Sequence, residues 1–425
     1  MRIAVIGAGV AGITAAYRLR QAGHGVEILE ALDVVGGRTR TAHFGPGHYL
    51  DTGAAWLASF YTRTLALFDD LGLHDRLLAP RTAREVDSLL LHWQVRRFPF
   101  SRAAIAASAL LTTSEKQALT TYLSRLAVEQ SGDLRADPAR DDHDAVAEFA
   151  PLGSGVVDYV IRPSFEGPFF TPLKSISAAM ARAWLRAMQG AAFYQVAGGM
   201  DSPWRDLAAG VEVRPGTRVA AVRRQSGAIE VVDQAGARRY DGVVLAVPAP
   251  EARTLLSADP ELAPSWLGEV QYVPAVRVYA ARPSPVDATY GVHVPQPHMV
   301  ASVEFYAGRR GGWGACPPDW QWGLVTASSE ASPTLLDGPA AKATEELWTA
   351  GRAALPELFP LEQAEVVQLV RWPLALPVMA PGRYRRLAAF RQRPPVVLAG
   401  DWTQEACVEG AVRSGEAAAA AFGAS

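Results

Sequence analysis

Cysteine is nearly absent from this chain. Among 425 residues only Cys316 and Cys407 occur, too few for a disulfide framework and without the close spacing of a metal site. Lysine is scarce too: Lys116, Lys174 and Lys342 are the three present, and arginine supplies the other positive charges. The formal net charge is −2, so no charge excess points to nucleic acid or to an acidic partner. No apolar run approaches the eighteen residues of a membrane-spanning helix. A core strand begins at residue 2, which leaves no room for a signal peptide, and a cytoplasmic, reducing location is the expectation. The length favours two domains, each large enough to bury a core.

Glycine, by contrast, is abundant and pointedly placed. Arg2-Ile3-Ala4-Val5-Ile6 runs straight into Gly7-Ala8-Gly9-Val10-Ala11-Gly12. The apolar run reads as a buried parallel strand. Gly7 allows a tight turn, Gly9 lets backbone approach a pyrophosphate, and Gly12 lets helix and strand pack closely. A helix from about Val10 to Ala22 then directs its N-terminal amides and positive dipole end at the phosphates. A second strand, Gly25 to Leu29, ends in Glu30, whose carboxylate suits ribose hydroxyls. Strand, loop, helix and acid in this order form the dinucleotide fingerprint.

A second clamp follows. Gly36-Gly37-Arg38-Thr39 offers close backbone approach and a guanidinium fork that suits phosphate oxygens. An NAD site has no general need for it. Tyr49-Leu50-Asp51-Thr52-Gly53-Ala54-Ala55-Trp56 then reads as a strand entering a turn of small residues, as a flat ring lying on backbone requires. Near the other end, Val396-Val397-Leu398-Ala399 feeds Gly400-Asp401-Trp402-Thr403, and Glu409-Gly410-Ala411-Val412 opens the last helix. The N-terminus of that helix can stabilise negative charge.

These motifs, with the Val243–Pro248 strand, resemble the FAD-dependent amine oxidoreductase superfamily. It includes monoamine and polyamine oxidases, protoporphyrinogen oxidases and carotenoid- and squalene-type desaturases. The resemblance implies an α/β fold: a Rossmann-type FAD-binding domain of the glutathione-reductase kind, with an α+β substrate domain. It places Gly7, Ala8, Gly9, Ala11, Gly12, Glu30, Gly37, Arg38, Gly53, Ala54, Ala55, Trp56, Gly400, Asp401, Glu409, Gly410, Ala411 and Val412 at the cofactor. Val219 supplies a backbone contact to adenine. Where amine oxidases carry a lysine near the flavin, Pro274-Ala275-Val276-Arg277-Val278 carries Arg277. Where they carry the second aromatic of an amine cage, this chain has Cys407. Pro373 to Arg383 lacks the tyrosine of the first half of the cage and the cysteine of a flavin thioether, so the expectation is non-covalent FAD and no amine cage. Arg371-Trp372-Pro373-Leu374-Ala375-Leu376-Pro377 is similar to a stretch in protoporphyrinogen-oxidase-like members.

The motifs divide the chain into a discontinuous FAD domain, 1–75, 198–255 and 394–425, and a substrate domain, 76–197 and 256–393. Residues 76–197 read as mostly helical. Residues 211–247 read as short strands punctuated by Gly216, Gly227 and Gly236, and 268–306 and 321–329 as a sheet. The expected activity is an FAD-dependent oxidase or desaturase passing a hydride from a small apolar or cyclic substrate to flavin N5. Arg277, Trp372 and Cys407 would shape the substrate face. An amine oxidase, a redox-neutral isomerase and a catalytically silent FAD-binding partner protein are the alternatives. No metal is implied. Arg162, Glu166, Tyr194, Glu304 and Tyr306 are weaker pocket candidates. Arg96 to Arg102, followed by Ala103 to Leu111, allows peripheral membrane contact, but a core helix with basic caps is the favoured reading.

Overall fold

The computed structural model describes residues 1–82, 88–91, 94–96, 107, 109–129, 134–284, 289–294, 298–307 and 314–423. Five parallel strands carry the dinucleotide motif: β1 (Arg2–Ile6), β2 (Gly25–Leu29), β3 (Glu212–Arg214), β4 (Gly242–Leu245) and β5 (Val396–Leu398). Their order is β3-β2-β1-β4-β5. β1 lies at the centre, paired with β2 on one side and β4 on the other. Its residues Ile3 to Ile6 are buried, because helices or strands cover both faces of such a sheet. Helix α1 (Val10–Gln21) connects β1 to β2, and helix α2 (Val408–Gly423) packs on α1. A Cβ at Gly415 would lie 2.4 Å from the Ala11 carbonyl oxygen, so the two helices meet backbone to backbone.

A larger sheet holds seven strands in the order Val366–Pro377, Tyr272–Pro283, Trp320–Ala327, Val300–Ala307, Thr289–His293, Ser88–Leu91, Gln94–Arg96. Its pairs are antiparallel except Thr289–His293 with Ser88–Leu91. Side chains alternate between its faces. Val276, Val278 and Ala280 join Leu347 and Trp348 of the Ala340–Ala354 helix in one core. Tyr279 and Ala281 join Leu50 and Trp322 in another. Arg277 therefore faces the N-terminal segment around Leu50, and this alternation is what brings it to the candidate site.

Residues 76–197 are less helical than the sequence suggests. The segment holds the helices Thr113–Val128, Ala145–Phe149, Arg162–Phe169 and Ala178–Ala187, but also the strands Leu77–Thr82, Ser88–Leu91, Gln94–Arg96 and Ala192–Val196. Ala192–Val196 lies between Leu57–Ala58 and Leu77–Thr82, partners that local periodicity cannot reveal. Most of the basic and apolar stretch after Arg96 (residues 97–106 and 108) lies outside the described residues. No helix among the described residues is long and apolar enough to cross a membrane.

Candidate active site

The glycine loop opens directly onto α1. Gly9 is the N-cap of that helix, and no side chain caps it. Gly7 takes a left-handed φ of 102°, and its amide donates to Leu29 O at 2.8 Å. A Cβ at Gly9 would meet nothing nearer than the Gly37 Cα at 4.0 Å, whereas a Cβ at Gly37 would come within 3.0 Å of the Gly9 Cα. Two glycine backbones thus line an open cradle at a helix N-terminus, the arrangement that receives a pyrophosphate. Ala8 and Ala11 are buried beside it. Glu30 accepts from Ala8 N at 2.6 Å and from Leu32 N at 2.9 Å, which fixes the carboxylate at the edge of β2. Thr217 N donates to Glu30 O at 2.7 Å, and this brings buried Val219 to the same edge.

Arg38 and Asp401, assigned separately to the cofactor, are bound to each other at 2.7 Å. The second arm of Arg38 donates to Ala375 O at 2.9 Å. The guanidinium is therefore not a free phosphate fork: it ties the Gly400–Thr403 turn to the end of the Val366–Pro377 strand. Burial acts to lower its pKa, but the charges of Asp401 and Tyr272 outweigh that and leave it raised. Gly400 N donates to Ser414 Oγ at 2.8 Å, which joins the same turn to α2.

The turn after Asp51 is held from both sides. Ala54 N donates to Arg38 O at 2.9 Å, and a Cβ at Gly53 would sit 1.7 Å from that oxygen. Contact with Arg38 alone thus requires glycine at 53. Arg277 Nη2 donates to Thr52 O at 2.5 Å, with Gly53 O 3.3 Å away, and Trp372 Nε1 donates to Thr52 O at 2.7 Å. Arg277 is 3% exposed. Burial lowers its pKa to about 10, against the charges of Glu304 and Asp51. Arg277 is thus neither a surface charge nor a wall of the cleft described next, and with Trp372 it positions the turn. Ala55 is buried, and Trp56 packs edge-on against Phe193 at 5.2 Å.

Cys407 lies at the mouth of α2 in a narrow cleft lined by Leu134, Phe169, Met180, Trp184, Tyr384 and Glu405. Its thiol lies beside Tyr61, and burial pushes its pKa far up. It is a neutral wall residue at any working pH, without thiolate chemistry. Ala411 N donates to Cys407 O at 3.1 Å, and the Gly410 amide lies beside the sulfur. Of the amides expected to face the flavin, that of Ala411 is bound by the Cys407 carbonyl, and the Val412 side chain is buried. Glu409 is corrected outright. Its carboxylate accepts from Arg63 N and Thr64 N, both at 2.9 Å, and from Thr64 Oγ1 at 2.8 Å. It caps the Thr62–Asp70 helix instead of meeting a cofactor.

Sequence reasoning missed Tyr61, Trp184, Phe169 and Tyr384, which converge only in three dimensions. The absence of an earlier tyrosine in 373–383 was the one signal that pointed towards Tyr384. Among the weaker candidates, Arg162 bonds Glu166 at 2.7 Å and Glu166 accepts from Leu173 N at 3.0 Å, a local structural pair. Tyr194 pairs with Leu57 in a sheet. The Tyr306 side chain lies outside the described residues. A separate cavity of about 340 Å³, lined by the acids Glu129 and Asp137 and by the guanidinia of Arg140, Arg182 and Arg186, touches neither the glycine loop nor the Asp401 turn.

A parallel sheet with an uncapped glycine cradle, and a C-terminal turn and helix brought back against it, define a flavin-dependent oxidoreductase. The sequence profile of the flavin containing amine oxidoreductases matches residues 10–422, and the chain belongs to that family. It is 30% identical over 283 residues to coproporphyrinogen III oxidase of Mycobacterium tuberculosis, a match covering 59% of this chain and 60% of that protein. The chain thus spans about 60% of the length of that relative. Cyclohexylamine oxidase of Brevibacterium oxydans superposes with a TM-score of 0.74 at 19% identity, over 99% of this chain and 98% of that one. Wild-type putrescine oxidase bound to putrescine gives 0.75 at 20% identity over the whole of both chains. Identities this low show a shared fold.

Proposed function

We propose that this chain is an FAD-dependent oxidase or dehydrogenase that takes a hydride from an activated C–H bond of a small apolar or cyclic substrate. The observation that carries this reading is the open glycine cradle at Gly9 and Gly37, with the Arg38-held Asp401 turn and α2 brought back against the same sheet. FAD, when bound, supplies the two-electron acceptor. Gly9 and Gly37 would receive the pyrophosphate, Glu30 the adenosine ribose, Val219 the adenine, and Asp401, oriented by Arg38, the ribityl chain. Arg277 and Trp372 fix the Thr52–Gly53 turn against which a flat ring would rest. Phe169, Met180 and Trp184 pack as an apolar wall beside Cys407.

No side chain of the cleft is poised as a general base. Glu405 is paired with Arg413 at 3.1 Å, and burial holds Tyr384 and Cys407 protonated. This supports hydride removal without an obligatory protein base. Pro373 to Arg383 holds no cysteine that could form a flavin thioether, which supports non-covalent FAD. Oxidation of a porphyrinogen, the chemistry named for the mycobacterial relative, is one member of this substrate class.

Anaerobic titration of the FAD-loaded protein tests the reading. A porphyrinogen, a cyclic amine and a polyprene are added in turn while the oxidised flavin band is followed. Bleaching by the porphyrinogen or the polyprene supports it. Bleaching by the amine alone assigns an amine oxidase. Bleaching by dithionite and by no substrate identifies a silent flavoprotein and removes the proposal.

A further inference from the structure

The separate cavity of about 340 Å³ has the volume of a small-molecule site. Two of its guanidinia stand on one wall. Arg182 and Arg186 lie one turn apart on the Ala178–Ala187 helix, so they share a face, and like charges at this spacing repel. Both side chains are 13% exposed, so salt and water screen that repulsion poorly.

The donors of this wall are unequally used. Arg182 donates to Glu148 at 2.7 Å and to the Tyr122 hydroxyl at 3.1 Å, and it is paired with Glu129. Arg186 Nη2 donates to Arg135 O at 2.8 Å. Its Nη1 lies 3.9 Å from Glu129, beyond hydrogen-bond reach, and its Nε is buried without a partner. The third guanidinium, Arg140, ends the Pro138–Arg140 turn. It is exposed, and its side chain bonds no described residue. On the acidic side, one oxygen of Asp137 already accepts from Ala139 N at 2.9 Å. Three guanidinia thus meet two carboxylates, and the unspent donors facing them are those of Arg140 and Arg186 Nη1.

We propose that this cavity is a binding site for a small organic monocarboxylate, whose oxygens accept from Arg140 and from Arg186 Nη1. A planar guanidinium matches a carboxylate in shape as well as in charge. One added negative charge balances the third arginine and offsets the repulsion along the helix face. An inorganic anion would leave most of the cavity empty, so the ligand carries a carbon skeleton, and Ala179 and Ala183 give that skeleton an apolar surface. Ala183 also lines the narrow cleft at Cys407, which makes the two hollows neighbours. The cavity touches neither the glycine loop nor the Asp401 turn, so its ligand is held apart from the cofactor and is not the molecule oxidised.

Benzoate and benzamide test this as a matched pair, since they share a shape and only the first carries a charge. Calorimetric titration of the FAD-loaded protein is expected to show one equivalent of benzoate, bound at least about tenfold more tightly than benzamide. Added salt should weaken benzoate and leave benzamide unchanged. The flavin absorption bands should not move. Arg140→Gln is expected to lose about tenfold in benzoate affinity. Its melting temperature and FAD affinity should match those of the parent protein, because the side chain it replaces supports nothing else.

The proposal is overturned if benzoate fails to bind at millimolar concentration, if it binds no more tightly than benzamide, or if Arg140→Gln leaves its affinity unchanged. A shift of the flavin bands on benzoate binding would also overturn it, because the ligand would then lie at the cofactor. Inorganic phosphate binding as tightly as benzoate would do the same, since the site would read charge alone. None of these measurements needs turnover. A failed bleaching titration alongside benzoate binding that is lost in Arg140→Gln would remove the proposed reaction and leave this site standing.

Discussion

Arg277 and Trp372 donate to one carbonyl oxygen, that of Thr52. They reach it from adjacent strands, where Arg277 pairs with Val370 and Trp372 with Ala275. One oxygen with two lone pairs thus fixes the turn that contains Gly53 and Ala54 against the large sheet. A charge-assisted bond in a buried place is the stronger of the two.

Arg277→Met is predicted to loosen this turn while Trp372 still holds it. Loss of one buried charged hydrogen bond costs about 1.5–3 kcal/mol, so the dissociation constant for FAD is expected to rise at least about tenfold. Arg277→Lys should restore part of the loss. Flavin fluorescence titration checks both, and an unchanged constant in Arg277→Met would show that the turn does not support the cofactor.

Gly9→Ala and Gly53→Ala are predicted to fail in opposite ways. Gly9 has an ordinary φ of −78° and room for a methyl group. The variant should melt with the parent apoprotein yet lose at least about tenfold in FAD affinity, because the methyl fills the pyrophosphate cradle. Gly53→Ala should destabilise the apoprotein itself, since the new Cβ collides with Arg38 O. Equal melting of the two variants would contradict this division.

Glu409→Ala is predicted to cost about 2–3 kcal/mol of stability by uncapping the Thr62–Asp70 helix and leaving its buried donors unpaired. FAD affinity in the folded variant should stay within about twofold, as the carboxylate does not face the cofactor. Urea unfolding and flavin titration separate the two effects. A stable variant with weak FAD binding would restore a cofactor role for Glu409.

Asp51 makes apoprotein stability pH-dependent. Burial raises its pKa to about 7, with nearby Asp201 adding to the rise and bonds from Met200 N and Thr41, with the charge of Arg277, opposing it. The folded value lies above the unfolded one of about 3.9. The contribution is therefore fully present below pH ~4 and is lost as pH rises through about 7. Its size is on the order of 4 kcal/mol. Asp51→Asn keeps an oxygen for Thr41 and Met200, and should be the more stable protein at pH 8 by a margin that shrinks towards pH 5. Denaturant unfolding at the two pH values tests this, and parallel profiles for variant and parent would rule it out.

The parts of this molecule legible in the sequence are those where chemistry leaves one residue type. β1, the glycine loop, α1 and β2 follow from local pattern because the loop permits no side chain at Gly7 or Gly12. The Asp401 turn and α2 are legible for a similar reason. Pairings across long sequence distances are not. Ala192–Val196 lies in a segment that reads as mostly helical, and it is a strand because Leu57–Ala58 and Leu77–Thr82 flank it. Glu409 sits beside a glycine that suggests a cofactor, while the donors it serves lie 345 and 346 residues earlier. Arg38 looks like a phosphate ligand because nothing nearby in sequence announces Asp401. The cleft combines Tyr61, Trp184, Tyr384 and Cys407, and no spacing rule joins residues so far apart.

The close packing of Gly415 on Ala11 has a consequence for biosynthesis. β1 leaves the ribosome well before its neighbour β4, which begins at Gly242, and before β5 and the helix that covers α1, which begin at Val396 and Val408. Domains commonly fold as they emerge. Here the first strand waits, with an apolar face uncovered, until residues near 415 are free of the exit tunnel. Between those two events the growing chain carries this uncovered face, and chaperones can bind it there.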